Sequence, residues 1–321
     1  MAEWMPTASI ENLRFRARIL ASIRSYFAAH DVMEVDAAVL SQCAVSDPYI
    51  DSLEVHYKAH PDATAEICFL QTSPEYAMKR LLAAGSGSIY QMGKVFRNGE
   101  EGRNHNPEFT MLEWYRLGFD DQQLMDDVES LVRSILPIGP IRRCNYRDLF
   151  IEKLSIDPAS ASNAELAALM RSHVEVDLDI NDRDGWLNLL MSHLIEPMLK
   201  EEPIFVCNYP ASQSALARLK QLDSGEWAAA RFELFVEGIE LANGYHELTD
   251  AAEQARRLQA DQTMREALSL PTRPLENRLV RALEAGFPEC AGVALGVDRL
   301  IMLAIGAKHI DQVIPFTFRN A

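Results

Sequence analysis

Apolar residues recur at helical spacing in several parts of the chain. Between residues 9 and 30, Leu20, Ile23 and Phe27 follow one another at intervals of three or four, and Ser9 stands where a helix N-cap is expected. Similar patterns predict a helix that ends at Gly85, helices over 121–136 and 250–268, and a helical region over 162–200 that opens with a Ser162/Glu165 capping box.

Runs of continuous or alternating apolar residues predict strands. They include an extended segment at 32–40, a strand at 66–70, IYQMGKVFR and EFTMLEWYRLGF around the polar loop 98–107, PIFVCNYP, two strands in RFELFVEGIELANGYHEL around Glu237-Gly238, and a strand before a glycine turn and helix in GVALGVDRLIMLAIG. Together these elements predict one α+β domain over residues 1–321, with an antiparallel sheet flanked by helices and a helical insertion at about 150–200.

Composition and charge narrow the classes of protein. The 321 residues carry 31 basic and 47 acidic side chains, and the formal net charge of -16 disfavours nucleic acid outside a local basic patch. Five scattered cysteines without a CxxC pair favour a reducing, cytoplasmic compartment over a zinc site or a disulfide framework. The first residues lack a secretory pattern, and no apolar run reaches the ~18 residues of a membrane span.

The loop between the two strands of the first predicted hairpin concentrates charge. Arg97 ends one strand, and Arg103 and His105 lie in the loop, where guanidinium groups can bind phosphate oxygens bidentately. Alternation on the second strand places four side chains that suit a lined pocket on one face: Phe109, Met111, Glu113 and Tyr115. A polyphosphate site is one interpretation, and a solvated hairpin tip with local ion pairs is the other.

A second acidic cluster lies in the later hairpin. Glu233, Glu240 and Glu247 recur at seven-residue intervals. Strand alternation alone would place Glu233 and Glu240 on opposite faces, but a turn at Gly238 breaks that count, so a hairpin can bring both carboxylates to one side. Two convergent carboxylates near phosphates suit Mg²⁺, whereas three solvent-facing glutamates are the alternative.

Of two glycine-containing stretches, one is compatible with a ligand site and the other does not form a phosphate loop. In LGVDRL, Gly296 allows close approach of a ligand to the backbone, and Arg299 begins a helix. The stretch GSGSIYQMGKV does not satisfy the phosphate-loop pattern, because five residues separate Gly87 from Gly93 and Val95 replaces the required Ser or Thr.

Taken together, these stretches resemble the catalytic core of class II aminoacyl-tRNA synthetases, and within that class the lysyl branch. The second motif of the class is similar to FRN…RNHNPEFTMLEWY, and the third to GVALGVDRL. Lysyl-tRNA synthetases also resemble this chain at LQTSPEYAMKRLL, FVCNYPASQSALAR and ELANGYHELTD. The resemblance covers residues 10–315, and we therefore expect no N-terminal anticodon-binding barrel. The chain is therefore most similar to the family of short paralogues that attach (R)-β-lysine to elongation factor P.

That resemblance implies roles for the matching positions. Arg97 would hold the α-phosphate of ATP, Phe109 would stack on adenine, and Arg299 would cover its other face and reach the γ-phosphate. The remaining nucleotide contacts implied are Asn98, Gly99, Arg103, His105, Asn106, Glu240, Leu241 and Gly296, and the implied Mg²⁺ ligands are Glu233 and Glu240. The implied substrate contacts are Ser73, Pro74, Glu75, Tyr115, Asn243, Glu247 and Ala294, with Tyr115 and Glu247 at the ε-ammonium and Asn243 at the carboxylate end.

The chain departs from the family pattern at three places. The family's RNE reads RNG here, so a contact from that glutamate would require Glu100, one place later, to turn inward. Ala38 replaces the proline of the first motif, which contributes to the dimer interface, and we still expect a homodimer. Ala294 replaces a glycine of tRNA-charging relatives; its methyl group would crowd an α-amino group and favour a β-amine by ~1–3 kcal/mol, with neutral drift as the alternative.

The resemblance implies an AMP-forming ligase that uses ATP and Mg²⁺. A carboxylate attacks the α-phosphate, Arg97 and Arg299 stabilise the charge, and an amine then attacks the acyl-adenylate. We expect β-lysine and elongation factor P as substrates, not tRNA. One alternative is a stripped lysyl-tRNA synthetase that acylates tRNA or an RNA mimic. Another is an inactive paralogue that senses ATP or lysine, against which Arg97, Glu240 and Arg299 argue.

Overall fold

The structure, a computed structural model, describes residues 4–321. Residues 1–3, which belong to the predicted domain 1–321, lie outside the described residues. The helices are α1 (Ile10–Ala29), α2 (Glu75–Ala83), α3 (Asp121–Ile135), α4 (Tyr146–Leu154), α5 (Asn163–Arg171), α6 (Arg183–Leu190), α7 (Ala251–Ala267), α8 (Asn277–Glu284) and α9 (Val297–Ile305). The strands are β1 (Met33–Glu34), β2 (Leu40–Ser41), β3 (Glu54–Tyr57), β4 (Glu66–Leu70), β5 (Ile89–Phe96), β6 (Glu108–Leu117), β7 (Arg142–Asn145), β8 (Ile204–Pro210), β9 (Leu219–Gln221), β10 (Trp227–Val236), β11 (Ile239–His246) and β12 (Cys290–Gly296).

The chain divides into two compact units. The first comprises Met1–Phe119 and Leu248–Ala321, and the second comprises Asp120–Glu247. Each unit contains both helices and strands, in agreement with the predicted α+β class. None of the helices within residues 4–321 is both long enough and apolar enough to cross a membrane.

In the first unit, strands β1, β5, β6 and β12 are neighbours in that order. Strands β5 and β6 pair antiparallel from Ile89↔Tyr115 to Phe96↔Glu108, which confirms the predicted hairpin. Strand β12 pairs antiparallel with β6, whereas β1 runs parallel to β5. The chain between β1 and β5 can return in the same direction because it passes through a separate sheet, ordered β2-β4-β3, and through α2.

Helix α1 covers one face of these strands. The Ser9 side chain accepts a hydrogen bond from the backbone N–H of Asn12 and caps the helix as predicted. Phe27 stacks on Tyr90 at a centroid distance of 4.3 Å and meets Trp114 edge-on at 5.4 Å. Tyr90 and Trp114 are cross-strand partners, so this face of the hairpin is apolar, and the alternate side chains of β6 point to the opposite face.

In the second unit, the strands follow the order β11-β10-β8-β7, and β9 pairs with β10. Strands β7 and β8 are parallel, and the chain between them contains α4, α5 and α6. The region predicted as a helical insertion is therefore the crossover that a parallel pair requires. Its apolar side chains, including the buried Phe150 and Trp186, pack with Ile204, Val206 and Phe235 in one core.

The hairpin of β10 and β11 turns at the predicted residues. Glu237 and Gly238 both have positive φ, at 51° and 73°, as a two-residue hairpin turn requires. The register is irregular further along: Leu234 faces Ala242, but Phe235 faces Glu240. A β-bulge thus adds one residue to β11 and shifts the alternation of its side chains.

Candidate active site

The loop between β5 and β6 is organised around Arg97. Its guanidinium carbon lies 5.2 Å from the centre of the Phe109 ring, and Nη1 lies 3.5 Å from the Glu100 carboxylate. Glu100 therefore does turn toward the predicted phosphate-binding arginine. The Nε of Arg97 is buried and makes no hydrogen bond within the described residues. A buried guanidinium donor without an acceptor is suited to an anionic ligand.

The tip of the same loop contacts a second arginine, Arg299 of α9. Gly102 and His105 form an isolated bridge, and His105 Nε2 lies 2.6 Å from Nη2 of Arg299. Because a guanidinium can only donate, the imidazole nitrogen accepts in this contact. His105 and Arg299, each predicted as a nucleotide contact, thus lie side by side in the first unit.

Two loop asparagines are held by the protein itself. The Asn98 side chain donates to Asp51 Oδ2 at 2.8 Å. Asn106 is buried, donates to the carbonyl of Glu108 at 2.6 Å, and accepts from the backbone N–H of Phe318 at 3.0 Å. Both ends of the Asn106 amide are thus used in fixing the loop, while Gly99 supplies a turn with a φ of 77°.

A buried ion pair fixes the start of α9 and with it Arg299. Asp298 accepts from Arg16 Nη1 at 2.5 Å and from the backbone N–H of Thr110 at 2.7 Å, and Arg16 also donates to Thr110 Oγ1 at 2.7 Å. The side chain of Arg299 passes over Gly296, where an added Cβ would lie 3.4 Å from its Cδ. The sequence did not identify Arg16 as the partner, because it lies on α1, far away along the chain.

A carboxylate lies buried on the β6 face that the sequence predicted as a pocket wall. Glu113 accepts from Ser73 Oγ at 2.6 Å and from the Tyr115 hydroxyl at 2.8 Å. Burial, reinforced by the Glu75 carboxylate, raises the pKa of Glu113 to about 7. Glu75 itself pairs with Lys79 at 2.6 Å and follows Pro74 at the start of α2.

The pairing of β6 with β12 places Ala294 beside this carboxylate. Ala294 is the cross-strand partner of Glu113, and Gly296 is the partner of Met111. Cross-strand partners project to the same side of a sheet. The pocket that contains Glu113 therefore has the Ala294 methyl group, and not a bare backbone, on that side.

In the second unit, Glu233 is surrounded by hydrogen-bond donors. Its carboxylate accepts from the Tyr209 hydroxyl at 2.6 Å, from Asn243 Nδ2 at 3.2 Å, and from Arg231. Burial raises the pKa of Glu233; the Arg231 guanidinium opposes this shift, and the Glu240 carboxylate adds to it. The repulsion from Glu240 means that these two carboxylates lie close enough to interact.

The turn at Glu237 and Gly238 explains how this pair forms, and the bulge opposite Leu234 and Phe235 adds Asn243 to it. Asn243 faces Glu233 across the strands, and Glu240 faces Phe235, two residues further along β10. Residues 233 and 235 share a face of β10, so their partners Asn243 and Glu240 share it too. Leu241, which lies in the bulge, is buried, as is Glu247 beyond the end of β11.

Several residues of these clusters were not predicted as site residues. They are Arg16, Lys79, Glu113, Tyr209 and Arg231. Alternation on β6 had placed Glu113 on the pocket face, which was a usable signal. Tyr209 carried none, because its contact with Glu233 depends on the pairing of β8 with β10, whereas Arg231 lies two residues before Glu233 and shares its strand face by alternation.

Comparison with known proteins identifies the family. The family model described as tRNA synthetases class II (D, K and N) matches residues 2–320. A protein of Vibrio parahaemolyticus is 48% identical over 318 residues, 98% of each chain, and one of Vibrio cholerae is 47% identical over 323 residues, 100% of this chain and 99% of its own. A protein of Pasteurella multocida is 45% identical over 319 residues, 99% of this chain and 98% of its own. All three are named elongation factor P–(R)-β-lysine ligase. The predicted synthetase-like core is confirmed, and the chain belongs to the family of class II tRNA synthetases (D, K and N).

Proposed function

We propose that this chain is an ATP-dependent ligase that activates (R)-β-lysine as an adenylate and transfers it to a lysine side chain of elongation factor P. The relatives described above are named as ligases of elongation factor P and (R)-β-lysine, and they match this chain along nearly their whole length. The observation that carries the proposal is the β6 face, where Phe109 lies under Arg97 and Glu113 binds Ser73 and Tyr115. One strand face thus offers a ring for a nucleobase, a cation for phosphate and a carboxylate for an amine.

In the activation step, a carboxylate oxygen of the substrate attacks the α-phosphorus of ATP. A new C(O)O–P bond forms, the bond from that phosphorus to the bridging oxygen breaks, and pyrophosphate leaves. The buried Nε of Arg97 can donate to an α-phosphate oxygen, and Arg299 adds a second positive charge. Cations held in place in this way stabilise the negative charge of the transition state, and they do so most strongly where water is excluded.

The two carboxylates of the second unit fit a magnesium ion that shares its coordination with phosphate oxygens. Mg²⁺ is commonly held by one or two carboxylates together with substrate phosphates. Glu233 would offer the ion a carboxylate that is already oriented by Tyr209, Arg231 and Asn243. The ion would neutralise phosphate charge.

The pocket around Glu113 would bind the side-chain ammonium of the substrate. With a pKa of about 7, Glu113 is partly protonated near neutral pH in the ligand-free protein. An ammonium group favours the ionised form, so binding would release a proton from Glu113. The Ala294 methyl group would narrow the pocket and favour β-lysine over α-lysine.

In the transfer step, the amine of a target lysine attacks the acyl carbon of the adenylate. The C–N bond forms, the C–O bond to phosphate breaks, and AMP leaves. The attacking amine must first lose a proton, since a free lysine has a pKa near ~10.4. We assign the adenylate phosphate as the acceptor of that proton.

Intact-mass measurement of the acceptor tests the proposal. The protein is incubated with ATP, either (R)-β-lysine or α-lysine, and either elongation factor P or tRNA. We expect elongation factor P to gain one lysyl unit, faster with (R)-β-lysine. The Arg97→Ala variant should lose about 10²–10³-fold in rate. Charged tRNA beside unmodified factor would instead favour the tRNA-acylating alternative.

We also propose a cytoplasmic homodimer. All five cysteines are buried free thiols, as expected in a reducing compartment. Leu40, Tyr57 and Ile67, on the sheet of β2, β3 and β4, are exposed apolar side chains that a partner copy would cover. Light scattering after gel filtration should give twice the mass of one chain, and Ile67→Asp should lower it; a monomeric wild type would refute the dimer.

A further inference from the structure

The loop that carries Arg103 and His105 is held from outside by the residues at 308–319, here called the 308–319 segment. Arg103 Nε donates to the carbonyl of Lys308 at 2.8 Å, and the Arg103 carbonyl accepts from the backbone N–H of Ile310 at 2.9 Å. Further along, the N–H of Phe318 donates to the Asn106 side chain at 3.0 Å. Both ends of the segment therefore contact the loop.

Arg319 adds a fourth contact. Its Nε and Nη2 donate to the two carboxylate oxygens of Glu101, at 2.7 and 2.8 Å. This fork is the geometry that fixes a carboxylate in direction as well as distance. Glu101 stands two residues before Arg103, so the pair restrains the loop close to its phosphate-binding side chain.

The middle of the 308–319 segment is anchored to the body of the first unit. Val313 and Ile314 are buried, and the carbonyl of Val313 accepts from Arg16 at 3.2 Å. The Thr7 backbone N–H donates to the carbonyl of Pro315 at 2.8 Å, and the Asn12 side chain donates to that of Gln312 at 2.9 Å. Because its centre is fixed, the segment can resist movement of the loop instead of moving with it.

We propose that Arg319 is a positioning residue for nucleotide binding: through Glu101 it holds the loop in the conformation that presents Arg103 and His105. The inference rests on the proposed function, since it assumes that this loop binds the phosphates of ATP. Arg319 acts through Glu101 and the loop backbone, so its loss should weaken ATP binding more than the chemical step.

The test combines a ligand-free measurement with kinetics. Hydrogen–deuterium exchange is followed at residues 98–107 without substrate, and KM for ATP and kcat are measured for adenylate formation. Arg319→Ala should speed exchange in the loop and raise KM about two- to fivefold, as expected for an exposed ion pair, with kcat little changed. Exchange in β5 and β6 should stay as in wild type, which shows that the fold is kept.

Two further variants make the test specific. The swapped pair Glu101→Arg with Arg319→Glu restores the ion pair and should bring loop exchange and KM back toward wild type. Arg24→Ala removes another exposed pair of the first unit, Arg24 with Glu34 at 3.1 Å, and should change neither.

The remaining outcomes separate the possibilities. Equal loop exchange and equal KM in Arg319→Ala and Arg24→Ala would overturn the inference. A raised KM with unchanged exchange would also overturn it, because Arg319 would then act on the nucleotide directly. A wild type that forms no adenylate would refute the proposed function, and the exchange measurement would still decide whether Arg319 restrains the loop.

Discussion

Replacing Glu113 by glutamine should change how the stability of the protein depends on pH. Glu113 is only 3% exposed, and its pKa is raised from an ordinary 4.5 to about 7, first by burial and then by Glu75. In this interval the folded protein holds a proton that the unfolded chain has released. The contribution of Glu113 to wild-type stability therefore falls as pH rises from 4.5 to 7 and levels off above that.

The size of the effect follows from the pKa shift. A raise from 4.5 to about 7 corresponds to roughly 3 kcal/mol of lost stability across the interval. Glutamine at this position cannot ionise. It can still accept from one of Ser73 and Tyr115 and donate to the other, because hydroxyl groups both donate and accept. The Glu113→Gln variant should thus keep its hydrogen bonds and lack this pH dependence.

Urea unfolding of wild type and Glu113→Gln at several pH values between 4.5 and 8 measures the effect. The wild-type free energy of unfolding minus that of the variant should fall by roughly 3 kcal/mol as pH rises. Glu266→Gln, at an exposed position on α7, is the matched control, and its free energy of unfolding should depend on pH as that of wild type does. Calorimetry adds a second readout: at pH 7, β-lysine binding should release protons from wild type and fewer from Glu113→Gln.

One result would refute this reasoning. If the difference in unfolding free energy between wild type and Glu113→Gln were independent of pH, Glu113 would titrate alike in the folded and unfolded protein. The carboxylate would then be ionised in the empty pocket, and the prediction that amine binding releases a proton from Glu113 would also be wrong.

Three further changes have defined outcomes. Gly244→Ala should destabilise the second unit by about 1–3 kcal/mol in urea unfolding, since an added Cβ would lie 2.4 Å from the Phe232 ring; a neutral result would mean that the ring moves freely. Asp298→Ala should cost about 3–5 kcal/mol because it strands the buried Arg16, and an unchanged melting temperature would contradict that. Ala294→Gly should improve adenylate formation with α-lysine relative to β-lysine by up to ~1–3 kcal/mol, and an unchanged ratio would remove the methyl group from the selectivity argument.

Sequence periodicity predicted the elements that carry long, regular patterns. Helix α1 with its Ser9 cap, the β5–β6 hairpin and the Ser162/Glu165 capping box all form as expected. Short elements were missed: β7 begins with two arginines that interrupt any apolar run, and α8 has only eight residues. Their formation depends on partners distant in sequence, which local patterns do not contain.

Pairing between distant segments also decides what each site side chain can do. Phe109 and Glu113 were predicted to share a face because alternation within one strand fixes it. Two ion pairs, Arg16 with Asp298 and Arg319 with Glu101, join residues more than two hundred positions apart. The sequence could therefore suggest which residues form the site, but not which residues hold them in place.

The carboxylates of the second unit show which contacts a local count can predict and which it cannot. The sequence argument attributed the convergence of Glu233 and Glu240 to the turn at Gly238. The turn reverses the chain, but in a regular ladder Glu240 and Asn243, three residues apart on β11, would face opposite sides. The bulge between Leu234 and Phe235 supplies the missing shift, so that Asn243 can hydrogen-bond to Glu233 while Glu240 lies near enough to raise its pKa. The turn itself, with Val236 facing Ile239 and Phe235 facing Glu240, places Glu240 on the face of Glu233, and the extra residue in β11 brings Asn243 to the same face.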